Sequence, residues 1–259
     1  MNINILAVGD ITGKVGYKTL VQKLKSIIKL YDIAFTVANG ENAAGLGITK
    51  NQANELLDCG VDVITLGNHT WSKREIIPFL DDSKNILRPS NFSPQVPGRG
   101  WGIYDTNHGS ICVINLVGRG GMNVENENPY FEADKILKQI NDDVKIVLVD
   151  FHAERTSEKY AMAYYLDGRV TAVWGTHTHV QTSDIRIFAN GTGYITDLGM
   201  TGPIDSIIGM KPEQPISRFL GNPPERFEDA EGPAKIEGAV FTIDPETGKC
   251  TEAESVRIE

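Results

Sequence analysis

The sequence predicts an α/β fold in which two β-sheets pack face to face with helices outside them. Three observations carry that expectation. Short apolar runs alternate with helical patterns through Thr176, which signals βαβ units and a mainly parallel sheet. Pairs of strand-like runs flanking turn residues then add antiparallel hairpins. Finally, five of six apolar runs lead directly into metal-ligand or acid–base residues, and ligands of open α/β sheets bind beyond the carboxyl ends of the strands.

The first run, Ile3–Val8, leads into Gly9-Asp10, and Ile33–Ala38 leads into Gly40-Glu41-Asn42. Val61–Leu66 is followed by Gly67-Asn68-His69, Val144–Val149 by Asp150-Phe151-His152, and Val170–Trp174 by Gly175-Thr176-His177-Thr178-His179. Only Ile111–Leu116 ends without such a residue. Between the runs, Leu20, Leu24, Ile27, Ile28 and Tyr31 fall at helical spacing, so Tyr17 to Leu30 is expected to pack one face on the sheet. Thr49 is placed as an N-cap, Leu56 and Leu57 as the buried face of its helix, and Gly60 as its stop. Ser72 with Glu75 fits a capping box just after His69. Tyr130 to Ile140 and Ser157 to Leu166, the latter ended by Gly168, complete the helices.

Hairpins are expected around Thr106-Asn107-His108-Gly109, around Asn190-Gly191, and around Asp244-Pro245-Glu246-Thr247-Gly248. The proline-rich stretch from Thr201 to Gly232 is read as an extended surface loop with one short helix near Pro215–Leu220, and loops of that length are commonly functional. No linker, repeat or low-complexity segment divides the chain, so residues 1–259 are read as a single domain with 41% apolar content and a substantial core.

A net charge of −9 argues against a long nucleic acid as partner, because such proteins carry a basic stripe. A small phosphate ester is compatible with it, since two bound cations would invert the local field. Cys59, Cys112 and Cys250 are scattered and odd in number, which suits a reducing compartment. Met1 to Gly9 lacks the basic start of a signal peptide, and no run approaches the roughly 20 apolar residues of a membrane helix. A soluble, cytoplasmic protein is expected.

Taken singly, the strand-end residues are ambiguous. Asp10 could cap a turn, Glu41 and Asn42 could be a solvated loop, Asn68 could bond a strand end, and an isolated His69 is more often a surface or core histidine than a catalyst. Gly13-Lys14-Val15-Gly16 lacks the G-K-[ST] ending of a phosphate-binding loop. His177-Thr178-His179 is stronger, because in a loop both imidazoles can reach neighbouring metals. Together the endings gather one Asp, one Glu, two Asn and four of the five histidines at one rim. Imidazole with carboxylate and amide oxygen, and no thiolate, suits Fe, Mn, Zn or Co. The residues exceed the needs of one open mononuclear site. Two metals about 3.5–4 Å apart would use them, and Glu41 is the choice for a bridging carboxylate.

At this point the residues resemble a known family: the YmdB-like 2′,3′-cyclic-nucleotide 2′-phosphodiesterases, a bacterial branch of the calcineurin-like metallophosphoesterases. The resemblance spans nearly the whole chain. It rests on Gly9-Asp10-Ile11, Ala38-Asn39-Gly40-Glu41-Asn42-Ala43-Ala44, Thr65-Leu66-Gly67-Asn68-His69, Asp150-Phe151-His152-Ala153-Glu154, Gly175 through Thr182, and Thr196 through Pro203. The superfamily's opening D-x-H is absent here, and Gly40-Glu41-Asn42 stands in place of its G-D-x-x-D; both departures are the branch's own signature.

The resemblance implies a calcineurin-like fold, a four-layer α/β/β/α sandwich of two mixed sheets. It implies one metal on Asp10, Glu41, Asn42 and His179, a second on Glu41, Asn68, His152 and His177, and His69 left free as general acid. The metals would be two divalent or trivalent transition ions, Fe or Mn, with a metal-bridged hydroxide as nucleophile and a 2′,3′-cyclic nucleotide opened to a 3′-nucleotide. Arg119, Arg155, Lys159 and the Thr201–Gly202 turn are candidate substrate contacts that surface charge or packing explains at least as well. The alternatives are a broader phosphomonoesterase on the same site, or a regulatory role through a protein partner with the activity secondary. A homo-oligomer is compatible with either.

Overall fold

The structure, a computed structural model, describes residues 1–259. Its first sheet has eight strands in the order β2 (Asp10–Ile11), β12 (Met200–Pro203), β13 (Ala234–Asp244), β1 (Ile3–Val8), β3 (Ile33–Asn39), β4 (Val63–Thr65) and β5 (Ile86–Leu87), with β14 (Lys249–Ile258) also paired to β13. The second has six, ordered β10 (Arg186–Ile187), β11 (Gly193–Ile195), β9 (Ala172–Thr176), β8 (Ile146–His152), β7 (Gly109–Val117) and β6 (Trp101–Thr106). Pairing is parallel through β1, β3, β4 and β5 and through β7, β8, β9 and β11. The three expected hairpins supply antiparallel strands around those parallel cores.

Strand periodicity explains the layering. On β1, Leu6 and Val8 join the cluster beneath α1 (Gly13–Leu30), α2 (Lys50–Cys59) and α3 (Ile76–Asp82), while Ile3, Ile5 and Ala7 face the other sheet. On β8, Val147, Val149 and Phe151 pack towards α4 (Pro129–Leu137) and α5 (Thr156–Leu166), while Ile146 and Leu148 face inward. Successive side chains alternate between faces, so each strand feeds two cores at once. Trp174 of β9 stacks on Phe241 of β13 across the sheet interface, at 5.9 Å between centroids. The result is an α/β/β/α sandwich.

Local signals account for the helices. Tyr17, Leu20, Leu24 and Ile27 form the buried stripe of α1, which begins at Gly13, a turn earlier than the apolar spacing alone indicates. Thr49 and Gln52 form a capping box on α2, and Gly60 ends it in the left-handed conformation. The expected box at Ser72 and Glu75 does not form. The Ser72 N–H goes to the His69 carbonyl, Glu75 accepts from the Lys50 N–H, and α3 starts only at Ile76 without a side-chain cap.

Several strand limits shift. Val61–Leu66 contracts to Val63–Thr65, and the runs at Val144–Val149 and Val170–Trp174 move towards the site as Ile146–His152 and Ala172–Thr176. Ladder pairing, not hydrophobicity, sets those ends. The 201–232 stretch is anchored at its start by β12 and carries α6 (Glu213–Phe219). No helix is long and apolar enough to cross a membrane.

Candidate metal centre

Continuing the inward-facing register of each strand leads to the site. β8 runs Ile146, Leu148, Asp150, His152 along its inner face; β3 brings Asn39, β4 Thr65 and β9 Thr176 to the same level. These polar residues are fully or almost fully buried and bond one another. Asp150 accepts from the hydroxyls of Thr65 and Thr176, the latter at 2.7 Å. Because Thr176 spends its one proton on Asp150, its oxygen accepts from His152 Nδ1 at 2.9 Å. The His152 tautomer is thereby fixed with Nε2 free for a ligand. Burial is the leading influence on Asp150, pushing its carboxyl up to about 6 against the hydrogen bonds that oppose it.

His152 Nε2 lies 2.9 Å from Asn68 Oδ1, 3.1 Å from Glu41 Oε1 and 3.1 Å from His177 Nδ1. Glu41, His152 and His177 form a group able to hold a metal ion. Donor separations near 3 Å match the edge of a coordination shell with bonds of about 2.1 Å. Glu41 Oε1 also lies 3.2 Å from the amide nitrogen of Asn42, which is 3.3 Å from His179 Nε2. A half-turn of that amide would present its oxygen in the same place. Glu41 Oε1 therefore sits between the two donor sets, while its other oxygen accepts the His69 N–H at 3.0 Å.

Asp10 completes the second set. Its Oδ2 accepts the His177 N–H at 3.0 Å, but its Oδ1 is buried without a hydrogen-bond partner, 3.6 Å from His179 Nε2. An orphaned carboxylate oxygen in such a place calls for a cation. Gly67 lets the sets close: a β-carbon there would lie 2.3 Å from Glu41 Oε2 and 2.4 Å from His152 Nε2.

The charges agree with that reading. Burial alone would raise Asp10 and Glu41, yet contact with His179 for the first, and the charge of His152 for both, hold each carboxyl below the usual carboxylate range. Against its own burial, His152 is raised by Glu41. Likewise, His179 is raised to about 9 by Asp10. Burial and the neighbouring His152 push His177 down to about 4. Two buried anions demand positive charge, and in the absence of metal the imidazoles supply it.

The His177-Thr178-His179 segment leaves the β-ladder at Thr176, and both histidines have positive φ, 96° and 61°. Regular strand geometry would have set both rings side by side on one face; here His177 Nδ1 meets His152 while His179 Nε2 meets Asn42. Asp197 holds the loop, accepting from the Thr178 N–H and hydroxyl and from Lys159 Nζ at 2.7 Å. Lys159 is thus fully buried structural charge, which favours packing over substrate contact among its two readings. Thr201 and Gly202 are likewise buried, inside β12. From the proline-rich segment, Ile208 offers its carbonyl to His179 Nδ1 at 2.9 Å, adopting φ 47°, a region that costs a β-branched residue about 1–3 kcal/mol.

All eight sequence-predicted residues meet at one rim. Asp10, Glu41, Asn42, His152 and His179 are buried, and Asn68, His69 and His177 are half-buried. Sequence reasoning missed the supporting roles of Asn39, Thr65, Thr176, Gly67, the Lys159–Asp197 pair and Ile208. The first three carried a usable signal, since each interrupts the apolar inner face of its strand with a polar group.

Comparison with known proteins follows this geometry. A family model described as YmdB-like protein matches residues 6–256. A 2′,3′-cyclic-nucleotide 2′-phosphodiesterase of Bacillus subtilis is 45% identical over 99% of this chain and 97% of its own. Among solved structures, one from Thermus thermophilus, described as a hypothetical protein, is 36% identical with a TM-score of 0.92, covering 99% of both chains. Another, described as a novel phosphatase from Mycoplasma pneumoniae, is 34% identical with a TM-score of 0.93, covering 100% of this chain and 94% of its own.

Proposed function

Because the chain belongs to the YmdB-like family, we propose that it is a metal-dependent phosphodiesterase that opens 2′,3′-cyclic nucleotides to 3′-nucleotides. The observation that carries this reading is the convergence of Glu41 Oε1, Asn68 Oδ1, His152 Nε2 and His177 Nδ1 beside the orphaned Asp10 Oδ1. The proposed ligands of one ion are Asp10, Glu41, Asn42 and His179, and those of the other are Glu41, Asn68, His152 and His177. Iron or manganese suits that oxygen and imidazole set.

Two cations held there would polarise the phosphoryl oxygens and acidify a water for attack on phosphorus. The remaining work falls to the chain's own groups. Asp10 and Glu41 stay ionised and offset the charge of both ions. Asn42 and Asn68 add neutral oxygens, so the net field at the substrate stays positive enough to receive a phosphate. His69 is left outside both proposed ligand sets, and its backbone N–H is tied to Glu41. From there its imidazole gives a proton to the departing 2′ oxygen, a contribution on the order of 10²–10⁴-fold.

The test is elemental analysis of protein purified without chelator, followed by an ester panel. Two Fe or Mn ions per chain and conversion of 2′,3′-cyclic AMP to 3′-AMP are expected. The description of the Mycoplasma pneumoniae structure as a phosphatase favours a second reading, a broader phosphomonoesterase. Faster turnover of mononucleotides than of the cyclic ester would establish that reading in place of the first.

A further inference from the structure

The three histidines of the centre are held in different ways. His152 and His179 are buried and each has its second nitrogen engaged, by Thr176 and by the Ile208 carbonyl. His177 is the half-exposed one, on a backbone with φ 96°, and its ring has no such buried partner. Its Nδ1 faces His152 Nε2 at 3.1 Å, and its Nε2 lies 3.1 Å from Glu154 Oε2. Glu154 is 52% exposed, and its stem runs beside the turn at Gly121, where an added β-carbon would lie 3.1 Å from Glu154 Cγ.

We propose that Glu154 is a positioning residue for the metal centre: its carboxylate accepts the Nε2–H of His177 and so presents Nδ1 to the ion shared with His152, Asn68 and Glu41. The inference rests on the proposed ligand role of His177. A neutral imidazole carries one proton, and the carboxylate decides which nitrogen keeps it. Without Glu154, the proton can settle on Nδ1 and the ring can turn about its χ2 axis, because solvent replaces the lost partner. The arrangement is a carboxylate–histidine–metal relay built at the end of β8, two residues beyond His152 on the same segment.

Three variants in the full-length protein test it, E154A, E154Q and H177A, each titrated with Mn²⁺ by chelator competition. The imidazole tautomer of His177 is read from nitrogen-15 chemical shifts in the metal-free protein. E154A is expected to weaken one Mn²⁺ step, the one H177A also weakens, about 10–100-fold and to shift His177 away from the Nε2–H tautomer. E154Q keeps an acceptor oxygen and should recover most of both. Wild-type Mn²⁺ affinity and tautomer in E154A, alongside a loss in H177A, would overturn the positioning role while leaving the metal centre intact. Equal loss in E154A and E154Q with an unchanged tautomer would overturn it by making Glu154 a direct ligand. No loss in H177A would remove both this inference and the ligand role beneath it.

Discussion

The two sheets end in different chemistry. Beyond β1, β3 and β4, the first sheet delivers oxygen donors: Asp10, Glu41, Asn42 and Asn68. At the end of β8 and beyond β9, the second delivers imidazoles: His152, His177 and His179. The oxygen side carries the negative charge, and the imidazole side takes its protonation from it, as the raised His152 and His179 show. Neither rim is a metal site alone. The centre exists only where the sandwich brings them within about 3 Å of each other, so packing between the sheets and metal binding are coupled.

The largest effect should come from removing charge on the oxygen side. Glu41→Gln takes away the carboxylate that touches both donor sets, and metal occupancy and turnover should fall together, to near the background rate. Elemental analysis beside an assay on 2′,3′-cyclic AMP reads both; two full sites with normal turnover would reduce Glu41 to a loop residue. His69→Ala separates chemistry from assembly. It should retain the metals and the fold yet lose about 10²–10⁴-fold on the cyclic ester, and much less on a nitrophenyl ester whose leaving group departs unprotonated. The ratio of the two losses is the diagnostic, and equal losses would make His69 a positioning residue or ligand.

A smaller effect tests how the imidazole side is held. Lys159→Met strands Asp197, the anchor of the His177–His179 loop, as an unpaired buried charge, and should lower stability by about 3–5 kcal/mol in urea unfolding. An unchanged midpoint would mean that Asp197 takes up a proton at little cost.

The smallest effect is a pH slope. In metal-free protein, Asp10 raises His179 to about 9, above the value of about 6.5 of an unfolded chain. A raised folded value contributes stability that is complete below pH 6.5 and is lost as pH climbs through 9. The melting temperature of chelator-treated protein should therefore fall between pH 6.5 and 9. With saturating metal it should not fall, because protons then compete with the ion and their loss favours the bound form. A flat metal-free profile would show that Asp10 and His179 are not coupled in this way.

Sequence by itself determined which elements form and which face each presents. The short apolar runs marked the strands, Thr49 and Gly60 bounded a helix, and the residues after five of those runs supplied the candidate site, because strand-end chemistry is written in consecutive positions. The alternation along Ile146, Leu148, Asp150 and His152 even encodes that the last two face the other sheet. Tertiary structure decided what those residues lean on. Thr176 passes the Asp150 charge to His152, Ile208 orients His179 from the far proline-rich segment, Glu154 meets His177, and Lys159 disappears into the core beside Asp197. The Ser72 capping box failed for the same reason: the 67–75 segment is tied back to Glu41 and to α2 instead of opening a helix. A hydrogen bond between side chains far apart in the chain leaves no local pattern, since its energy depends on where two sheets and a loop come to rest.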